Sequence, residues 1–379
     1  MNKKVAILTQ APVGTNYGST IQTYALQVFL KKHNYEPTTI DRVRGDNHSF
    51  FKKKASILKS ELKNIFTTEL NITPRIFNKI FIEQFKFVKE NISISKRIET
   101  DTDLNKHFKK ENYDIVIVGS DQTWRPQYSP NIYNYFLDFL EDNKEITKVA
   151  YATSFGTSEW EFSDEETQRC KYLVQKIDAV SVREKSGIAL CKQYLEIDPK
   201  WVLDPTMLLT KEDYLKVASQ GKVPFRKGLF SYILDETKAI SNTIDTVKSI
   251  LNLATFTNQP LCRSNNCQGK KLEELIYPSV EGWIKAFDQA DFVVTNSFHG
   301  TVFCIIFNKP FLTIVNKQRG ASRFHSLLSE FKLEDRLVYE EDTHIESIVK
   351  SPVDFTFVNQ RWEALKDESI EFLYKSLTK

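Results

Sequence analysis

Residues 290–314 read ADFVVTNSFHGTVFCIIFNKPFLTI and alternate short apolar runs with polar turns. An apolar run at 292–294 stops at a polar turn, a second run at 302–307 leads to Lys309-Pro310, and a third follows at 311–314. Short apolar runs bounded by turn residues are typical of buried strands, and a helix ends before a proline. We predict a strand over 291–295, a crossing over 297–300, a helix over 301–308 and a strand at 311–314.

The same alternation of strand, loop and helix runs along most of the chain. Strand patterns lie at 5–9, 113–118, 148–156 and 178–182, and a second series begins at Gly228 after a mixed stretch. Strands that alternate with helices predict an α/β fold with parallel sheets covered on both faces. Two series joined near residue 215 predict two Rossmann-like domains, over residues 1–215 and over residues 216–379, the second with C-terminal helices.

The composition excludes several classes of protein. The chain has 379 residues, of which 41% are hydrophobic and 27% charged, as in ordinary globular proteins. A formal net charge of +3 is too small to argue for nucleic acid, and no apolar run approaches the ~18 residues of a membrane span. Five scattered cysteines and an N-terminus unlike a signal peptide predict a cytoplasmic protein with reduced thiols. Cys262 and Cys267 lack a second pair at zinc spacing, so we predict no metal site.

Residues 50–66, FFKKKASILKSELKNIF, form a basic amphipathic pattern with apolar side chains at helical spacing. Such helices either pack on their own domain with the lysines solvated, or lie on an anionic membrane surface. Both interpretations stay open, so peripheral contact with the inner face of the membrane stays open too.

The predicted fold places His299 on the ligand side of its sheet. In parallel sheets, ligands bind beyond the carboxyl ends of the strands. Helix N-termini offer unpaired N–H groups and a positive dipole, so they bind phosphates and carboxylates. Two interpretations stay open: His299 acts on a bound anion, or Ser297 merely caps the helix and His299 packs against the loop.

Seven segments occur in an order and spacing that resemble a known family: NYGSTIQTYAL, YDIVIVGSDQTW, VAYATSFG, SVREKSG, VLDPTMLL, DFVVTNSFHGTVF and SRFHSLL. From about Lys4 to about Arg336 the chain resembles polysaccharide pyruvyl transferases. The resemblance implies a glycosyltransferase-B-like pair of domains facing a cleft. It also implies transfer of a pyruvyl group from phosphoenolpyruvate to two hydroxyls of a sugar, as a cyclic ketal, in the synthesis of surface polysaccharides such as capsule or exopolysaccharide. The implied acceptor is a saccharide, either free or lipid-linked.

The implied reaction requires a proton for the methylene carbon of the donor and a base for the attacking hydroxyl. We predict that His299 is the acid, because donor anions at a helix N-terminus favour the imidazolium form. Asp121 follows a predicted strand, and it is either the base or an ordinary helix N-cap. The chemistry needs no cofactor beyond phosphoenolpyruvate as donor substrate, and no metal.

Binding the donor requires cations or N–H groups for its phosphate and its carboxylate. Arg183 and Arg323 each follow a predicted strand, and the alternative for each is a surface ion pair, such as that of Arg183 with Glu184. Many members of the family carry a basic residue at the position of Ser297, so in this chain another cation must bind the donor, or the donor differs. The predicted donor set comprises Arg183, Arg323, Ser297, Gly300 and Lys317, and the predicted acceptor set comprises Asn16, Tyr17 and Ser120.

Two other functions fit the same architecture. One is a nucleotide-sugar-dependent glycosyltransferase, which requires an acidic residue near a ribose site in the second domain, and the sequence singles out none. The other is a catalytically silent saccharide-binding protein. Whether the chain forms a homo-oligomer also stays open.

The cysteine pattern makes the first prediction. We expect all five cysteines to be free thiols, because a reducing compartment does not sustain disulfides. Thiol titration of the denatured protein without reductant should find all five. A persistent disulfide between Cys262 and Cys267 would contradict the cytoplasmic assignment.

Overall fold

The computed structural model describes residues 2–11, 13–45, 72–221, 223–262, 270–315, 321–342 and 345–378. Within these ranges the chain forms two sheets, and all the strand pairings between named strands are parallel. The N-terminal domain holds the first sheet and the C-terminal domain the second. The basic segment 50–66 and Lys317 lie outside the described residues.

The strands of the first sheet are β1 (Lys4–Leu8), β2 (Glu36–Ile40), β3 (Ile115–Val118), β4 (Thr147–Thr153), β5 (Ala179–Val182) and β6 (Lys200–Trp201), in the order β2-β1-β3-β4-β5-β6. The strands of the second sheet are β7 (Gly228–Tyr232), β8 (Thr255–Phe256), β9 (Ala290–Thr295), β10 (Phe311–Val315) and β11 (Leu337–Tyr339), in the order β11-β10-β9-β7-β8.

The described α-helices are α1 (Tyr17–Lys32), α2 (Pro74–Ile80), α3 (Ile82–Asn91), α4 (Asp101–Glu111), α5 (Asp164–Val174), α6 (Lys185–Leu190), α7 (Lys211–Ala218), α8 (Lys238–Leu251), α9 (Leu272–Leu275), α10 (Val280–Gln289), α11 (Phe298–Ile306), α12 (Ser322–Glu330), α13 (Glu346–Lys350) and α14 (Phe355–Leu377). Single turns of 3₁₀-helix include Pro126–Tyr128. None of the described helices is both long and apolar enough to cross a membrane.

Alternation along the strands explains why each sheet is covered on both faces. In the first sheet, Val5 and Ile7 pack on one side with the apolar face of α1, whereas Ala6 and Leu8 pack on the other with α4 and α5. The second sheet has two such cores as well. Side chains that follow each other in a strand point to opposite faces, so a continuous apolar run needs cover on both. The predicted α/β class is therefore confirmed.

Residues 290–314 form the predicted elements with one shift. Strand β9 ends at Thr295, but α11 begins at Phe298, three residues earlier than predicted. The Ser297 side chain causes the early start, because its Oγ accepts a hydrogen bond from the backbone N–H of Gly300 at 3.3 Å. His299 therefore lies within the first helical turn rather than in the crossing.

Each sheet has one point where the strand order reverses. In the first sheet the chain runs outward in opposite directions from β1 and β3, and in the second sheet from β7 and β9. At such a point the loops after the two strands separate and leave a crevice, where ligands bind in doubly wound folds. The strand order thus marks one candidate crevice in each domain.

The two domains share a packed core next to these crevices. Tyr17, in the first turn of α1, stacks on Trp283 of α10 with ring centres 5.7 Å apart. Its hydroxyl donates a hydrogen bond to the carbonyl of Pro278 at 2.6 Å. The next residue, Gly18, lies against the ring of His299 from the other domain. The N-terminus of α1 therefore positions the N-terminus of α11.

Helix α14 follows the second sheet in the sequence but packs against the first. Leu373 and Leu377 join the core of that sheet, and Trp362 donates its indole N–H to the carbonyl of Met207 at 2.9 Å. The Oγ of Ser369 accepts a hydrogen bond from the N–H of Leu203 at 3.0 Å. The domain boundary near residue 215 stays a prediction.

The contact between the two helix N-termini gives the second prediction. A Cβ added to Gly18 would lie 2.3 Å from Nδ1 of His299. Overpacking of this kind costs about 1–3 kcal/mol. We expect Gly18→Ala to lower the melting temperature of the wild-type protein and to have little effect in a His299→Ala background, where the ring is missing. Thermal melts of the four proteins form a double-mutant cycle. An equal loss in both backgrounds would mean that Gly18 is required for another reason.

Candidate active site

A cleft of about 1700 Å³ lies between the two domains, at the carboxyl ends of both sheets. Loops from both strand-order reversals line it. Its lining includes Asn16, Asp121 and Tyr128 from the N-terminal domain, and Asn296, His299 and Arg323 from the C-terminal domain. The two crevices therefore open into one space.

His299 projects from the first turn of α11 toward the N-terminal domain and is 8% exposed. Its Nε2 is buried and makes no hydrogen bond to any described residue. That atom lies 3.7 Å from Oδ2 of Asp204, which is longer than a hydrogen bond. The ring thus faces a carboxylate with one nitrogen and Gly18 with the other.

Asp204 is the centre of a buried polar cluster at the carboxyl end of the first sheet. Its Oδ2 accepts hydrogen bonds from Arg183 Nη1 at 2.8 Å and from Ser120 Oγ at 2.9 Å. Its Oδ1 accepts from the N–H and the hydroxyl of Thr206. Burial acts to raise the pKa of Asp204, but the nearby His299, Arg183 and Thr206 N–H outweigh it and hold the pKa well below its usual value. The carboxyl group is ionised at neutral pH.

Asp204 is a functional candidate that the sequence pattern does not single out. The Asp-Pro pair after β6 reads as an ordinary strand end, and in part it is one, because the carboxylate caps the turn that follows. The available signal was its position, since an acidic residue just beyond the carboxyl end of a parallel strand lies on the ligand side of the sheet.

Arg183 belongs to the same cluster and lies beneath the cleft wall. Its side chain is 1% exposed, with Asp121 at 3.4 Å and Glu184 at 3.9 Å in addition to Asp204. Burial acts to lower the pKa of Arg183, but these three carboxylates outweigh it and raise the pKa. The guanidinium also lies over the ring of Phe298, 4.6 Å from its centre. Its charge is therefore balanced within the protein.

Arg323, in the first turn of α12, differs from Arg183 because it lines the cleft. No hydrogen bond or ion pair joins it to any described residue, and its Nε is buried without a partner. Its guanidinium lies 5.8 Å from the centre of the Phe298 ring, which the guanidinium of Arg183 also contacts. Burial and the charge of Arg183 lower the pKa of Arg323 to about 10, so it stays cationic at neutral pH. It is the better placed of the two arginines for binding an anion.

Asp121 lies on the cleft wall in a left-handed conformation, with φ at +78°. Its Oδ1 accepts a hydrogen bond from the N–H of Gln122 at 2.9 Å, and no helix begins there. The alternative role as a helix N-cap is therefore not observed. Asp121 is thus a carboxylate partner of Arg183 that reaches the cleft.

The remaining predicted residues fall into two groups. Asn16 and Ser297 line the cleft, and their side chains cap α1 and α11. Tyr17, Ser120 and Gly300 are buried behind its walls: Tyr17 in the shared core, Ser120 against Asp204, and Gly300 where a Cβ would lie 2.3 Å from Thr295 Oγ1. Their assignment to donor or acceptor binding stays a prediction, as does that of Lys317.

The described residues include no group of three His, Cys, Asp or Glu side chains placed to hold a metal ion. The convergence of Asp121, Asp204, Glu184, Arg183 and His299 is instead an arrangement of hydrogen bonds and ion pairs. Such a cluster can move a proton, and Arg323 on the C-terminal wall is the cation that can bind an anion beside it.

Solved structures with the same architecture match nearly the whole chain. A UDP-GlcNAc 2-epimerase from Methanocaldococcus jannaschii has a TM-score of 0.52 at 13% identity, covering 95% of this chain and 92% of that one. A sucrose-phosphate synthase from Thermosynechococcus elongatus has a TM-score of 0.51 at 12% identity, covering 100% and 99%. A glycosyltransferase from Rickettsia africae has a TM-score of 0.50 at 12% identity, covering 100% and 97%. These likenesses show the fold: two Rossmann-like domains facing a cleft, as in glycosyltransferases of the B type.

The sequence comparisons give the family. No curated protein matches the chain. A sequence model described as polysaccharide pyruvyl transferase matches residues 16–318, which is more than half of the chain and includes His299 and the whole Asp204 cluster. The chain therefore belongs to the polysaccharide pyruvyl transferase family, a family of transferases.

Proposed function

We propose that this protein transfers a pyruvyl group from phosphoenolpyruvate to two hydroxyls of a saccharide, as a cyclic ketal, in the synthesis of a surface polysaccharide. The observation that carries the proposal is the cationic Arg323 without an ion-pair partner among the described residues, on the same cleft wall as His299. A small donor with a phosphate and a carboxylate requires such a cation next to a proton source.

The donor has two anionic groups, and the C-terminal wall offers two ways to bind them. Arg323 supplies a full positive charge. The N–H groups in the first turn of α11 have no carbonyl partner within the helix. They lie at the positive end of the helix dipole. Since Ser297 is not basic, Arg323 takes the role of the cation that many relatives carry at that position.

His299 is the proposed acid. It donates a proton to the methylene carbon of phosphoenolpyruvate, which makes the neighbouring C2 electrophilic. One sugar hydroxyl attacks C2 and loses its proton to Asp121, the base on the opposite wall. The second hydroxyl then replaces the phosphate group, which leaves as inorganic phosphate and carries away the second proton.

The Asp204 cluster holds the acid in place in this mechanism. Nε2 of His299 faces the ionised Asp204 and Nδ1 lies against Gly18, so the ring is held from both sides. Arg183 and Thr206 fix the carboxylate by hydrogen bonds, so its negative charge stays opposite the ring. A fixed carboxylate that faces an imidazole sets the orientation of the ring.

A nucleotide-sugar-dependent glycosyltransferase is the second candidate, and one observation favours it. Asp235, Glu236 and Glu340 bring carboxylates to the C-terminal side of the cleft, where a ribose diol would require one. Phosphate release from phosphoenolpyruvate, measured against free and lipid-linked galactosides, glucosides and mannosides, separates the two activities. Release of a nucleotide from a nucleotide sugar, without phosphate release, would favour the second candidate. A catalytically silent saccharide-binding protein would release neither.

The third prediction contrasts the proposed acid with the proposed donor anchor. Replacing His299 by Ala should lower turnover by at least ~10²-fold, the usual effect of losing a general acid, with a smaller loss of donor affinity. Replacing Arg323 by Gln should mainly weaken donor binding, because a charge that holds ground state and transition state alike acts on affinity. Steady-state phosphate release and titration calorimetry with phosphoenolpyruvate measure the two effects.

Arg97→Gln is the matched control for Arg323, because Arg97 is an exposed arginine paired with Asp41, and neither lines the cleft. We expect this variant to keep both turnover and donor affinity. The proposed role of His299 is wrong if its Ala variant keeps near-normal turnover while its melting temperature falls.

The fourth prediction concerns Asp204. Asp204→Asn removes the main partner of a buried arginine, and breaking a buried ion pair costs about 3–5 kcal/mol. Asp198→Asn, which breaks the exposed pair with Lys192, should cost less than about 1 kcal/mol. Chemical denaturation at neutral pH compares the two variants with the wild-type protein.

The direction in which folding shifts the pKa of Asp204 determines how the stability difference between wild type and Asp204→Asn changes with pH. The pKa of Asp204 is lowered by folding, so its contribution is present above the pKa of the unfolded state and is lost as the pH falls toward the folded value. The gap between wild type and Asp204→Asn should be constant above about pH 5 and narrow below about pH 4. A gap that narrows between neutral pH and about pH 5 would contradict the ionised state of Asp204.

A further inference from the structure

We infer that the mouth of the cleft on its N-terminal side is a subsite for a neutral pyranose ring, with Tyr128 as the surface on which the ring stacks. The inference rests on the proposed function, because it names where the saccharide acceptor binds. Of the residues that the sequence predicts for acceptor binding, Tyr17 and Ser120 are buried and only Asn16 lines the cleft. The acceptor therefore needs another wall.

Tyr128 is an exposed aromatic side chain that lines the cleft. It ends the turn Pro126–Tyr128, lines the cleft and is 45% exposed. The guanidinium of Arg125 lies over the ring, 4.8 Å from its centre, and so holds the ring in one orientation. A fixed aromatic ring with a polar end suits a ligand that has both C–H faces and hydroxyl groups, as a pyranose has.

Several polar side chains in a fixed arrangement lie beside the Tyr128 ring. Arg125 is bound through two parallel hydrogen bonds to Glu161, at 2.7 and 2.8 Å. Its third nitrogen, Nη1, donates to Oε1 of Gln122 at 3.0 Å, and the Tyr128 hydroxyl lies 3.4 Å from the same nitrogen. Guanidinium, carboxylate and amide groups in one fixed array match the alternating donors and acceptors of neighbouring sugar hydroxyls.

The charges on this wall favour a neutral ligand over the anionic donor. The positive charge of Arg125 is balanced by Glu161, and Glu159 adds a negative charge at the cleft. Arg323, a cation without an ion-pair partner among the described residues, lies on the other domain. The C-terminal wall thus offers Arg323 to the anionic donor, whereas the charge-balanced Arg125–Glu161 pair of the N-terminal wall suits an uncharged polyol.

The test measures saccharide binding without turnover. The probes are the methyl glycosides of galactose, glucose and mannose, added to the full-length protein with and without phosphoenolpyruvate and followed by saturation-transfer NMR. We expect Tyr128→Ala to weaken the best-bound glycoside about tenfold or more, and Tyr128→Phe to keep most of the affinity, because the ring face is retained. Phosphoenolpyruvate affinity by calorimetry should be unchanged in both.

Tyr172→Ala is the matched control. Tyr172 is 48% exposed and lies 5.4 Å from the guanidinium of Arg169, but it does not line the cleft. The control should bind the glycoside as the wild type does. Equal affinity in Tyr128→Ala and Tyr172→Ala would overturn the inference, as would a wild-type protein that binds none of the glycosides. If Tyr128→Ala alone loses binding and no glycoside supports phosphate release, the subsite stands and the proposed function falls.

Discussion

The site depends on one buried charge, the carboxylate of Asp204. Burying a carboxylate is costly unless hydrogen bonds and opposite charges compensate it, and here Arg183, Ser120 and Thr206 do so. These partners come from the ends of different strands of the first sheet. The need to compensate the charge of Asp204 therefore fixes the strand ends relative to each other. The remaining side of the carboxylate faces His299 of the other domain. One compensated charge therefore orders the N-terminal sheet edge and orients a side chain from the C-terminal domain.

Much of the fold could be predicted from local sequence because buried parallel strands are nearly continuous apolar runs. The strand at β9, the turn at Ser297 and the helix after it were all readable in one stretch of sequence. The start of α11 was predicted three residues late, since Ser297 was included in the crossing although its side chain already caps the helix. Helix boundaries depend on such single hydrogen bonds, which periodicity does not reveal.

The candidate site was predictable in its location but not in its details. A strand end places a residue at the cleft edge of the sheet, and this holds for Asp121 and His299. Whether a side chain then faces the cleft or the interior depends on its tertiary partners, which lie in the same domain or in the other one. Tyr17 enters the shared core because Trp283 offers a stacking surface, and Arg183 lies under the wall because Asp204 is there. These partners are distant in the sequence, and only the tertiary structure brings them together.

The return of α14 to the first sheet has a consequence for how the protein folds. Leu373 and Leu377 belong to the core that also contains Val5 and Ile117, so this core cannot be completed until residues 355–377 have been synthesised. During synthesis on the ribosome, one face of the N-terminal sheet therefore stays incompletely covered until the whole second sheet has been made. The chain also crosses between the domains twice, and two crossings restrain twisting of one domain against the other more than a single linker would. Opening of the cleft is therefore expected to follow a hinge with a defined axis.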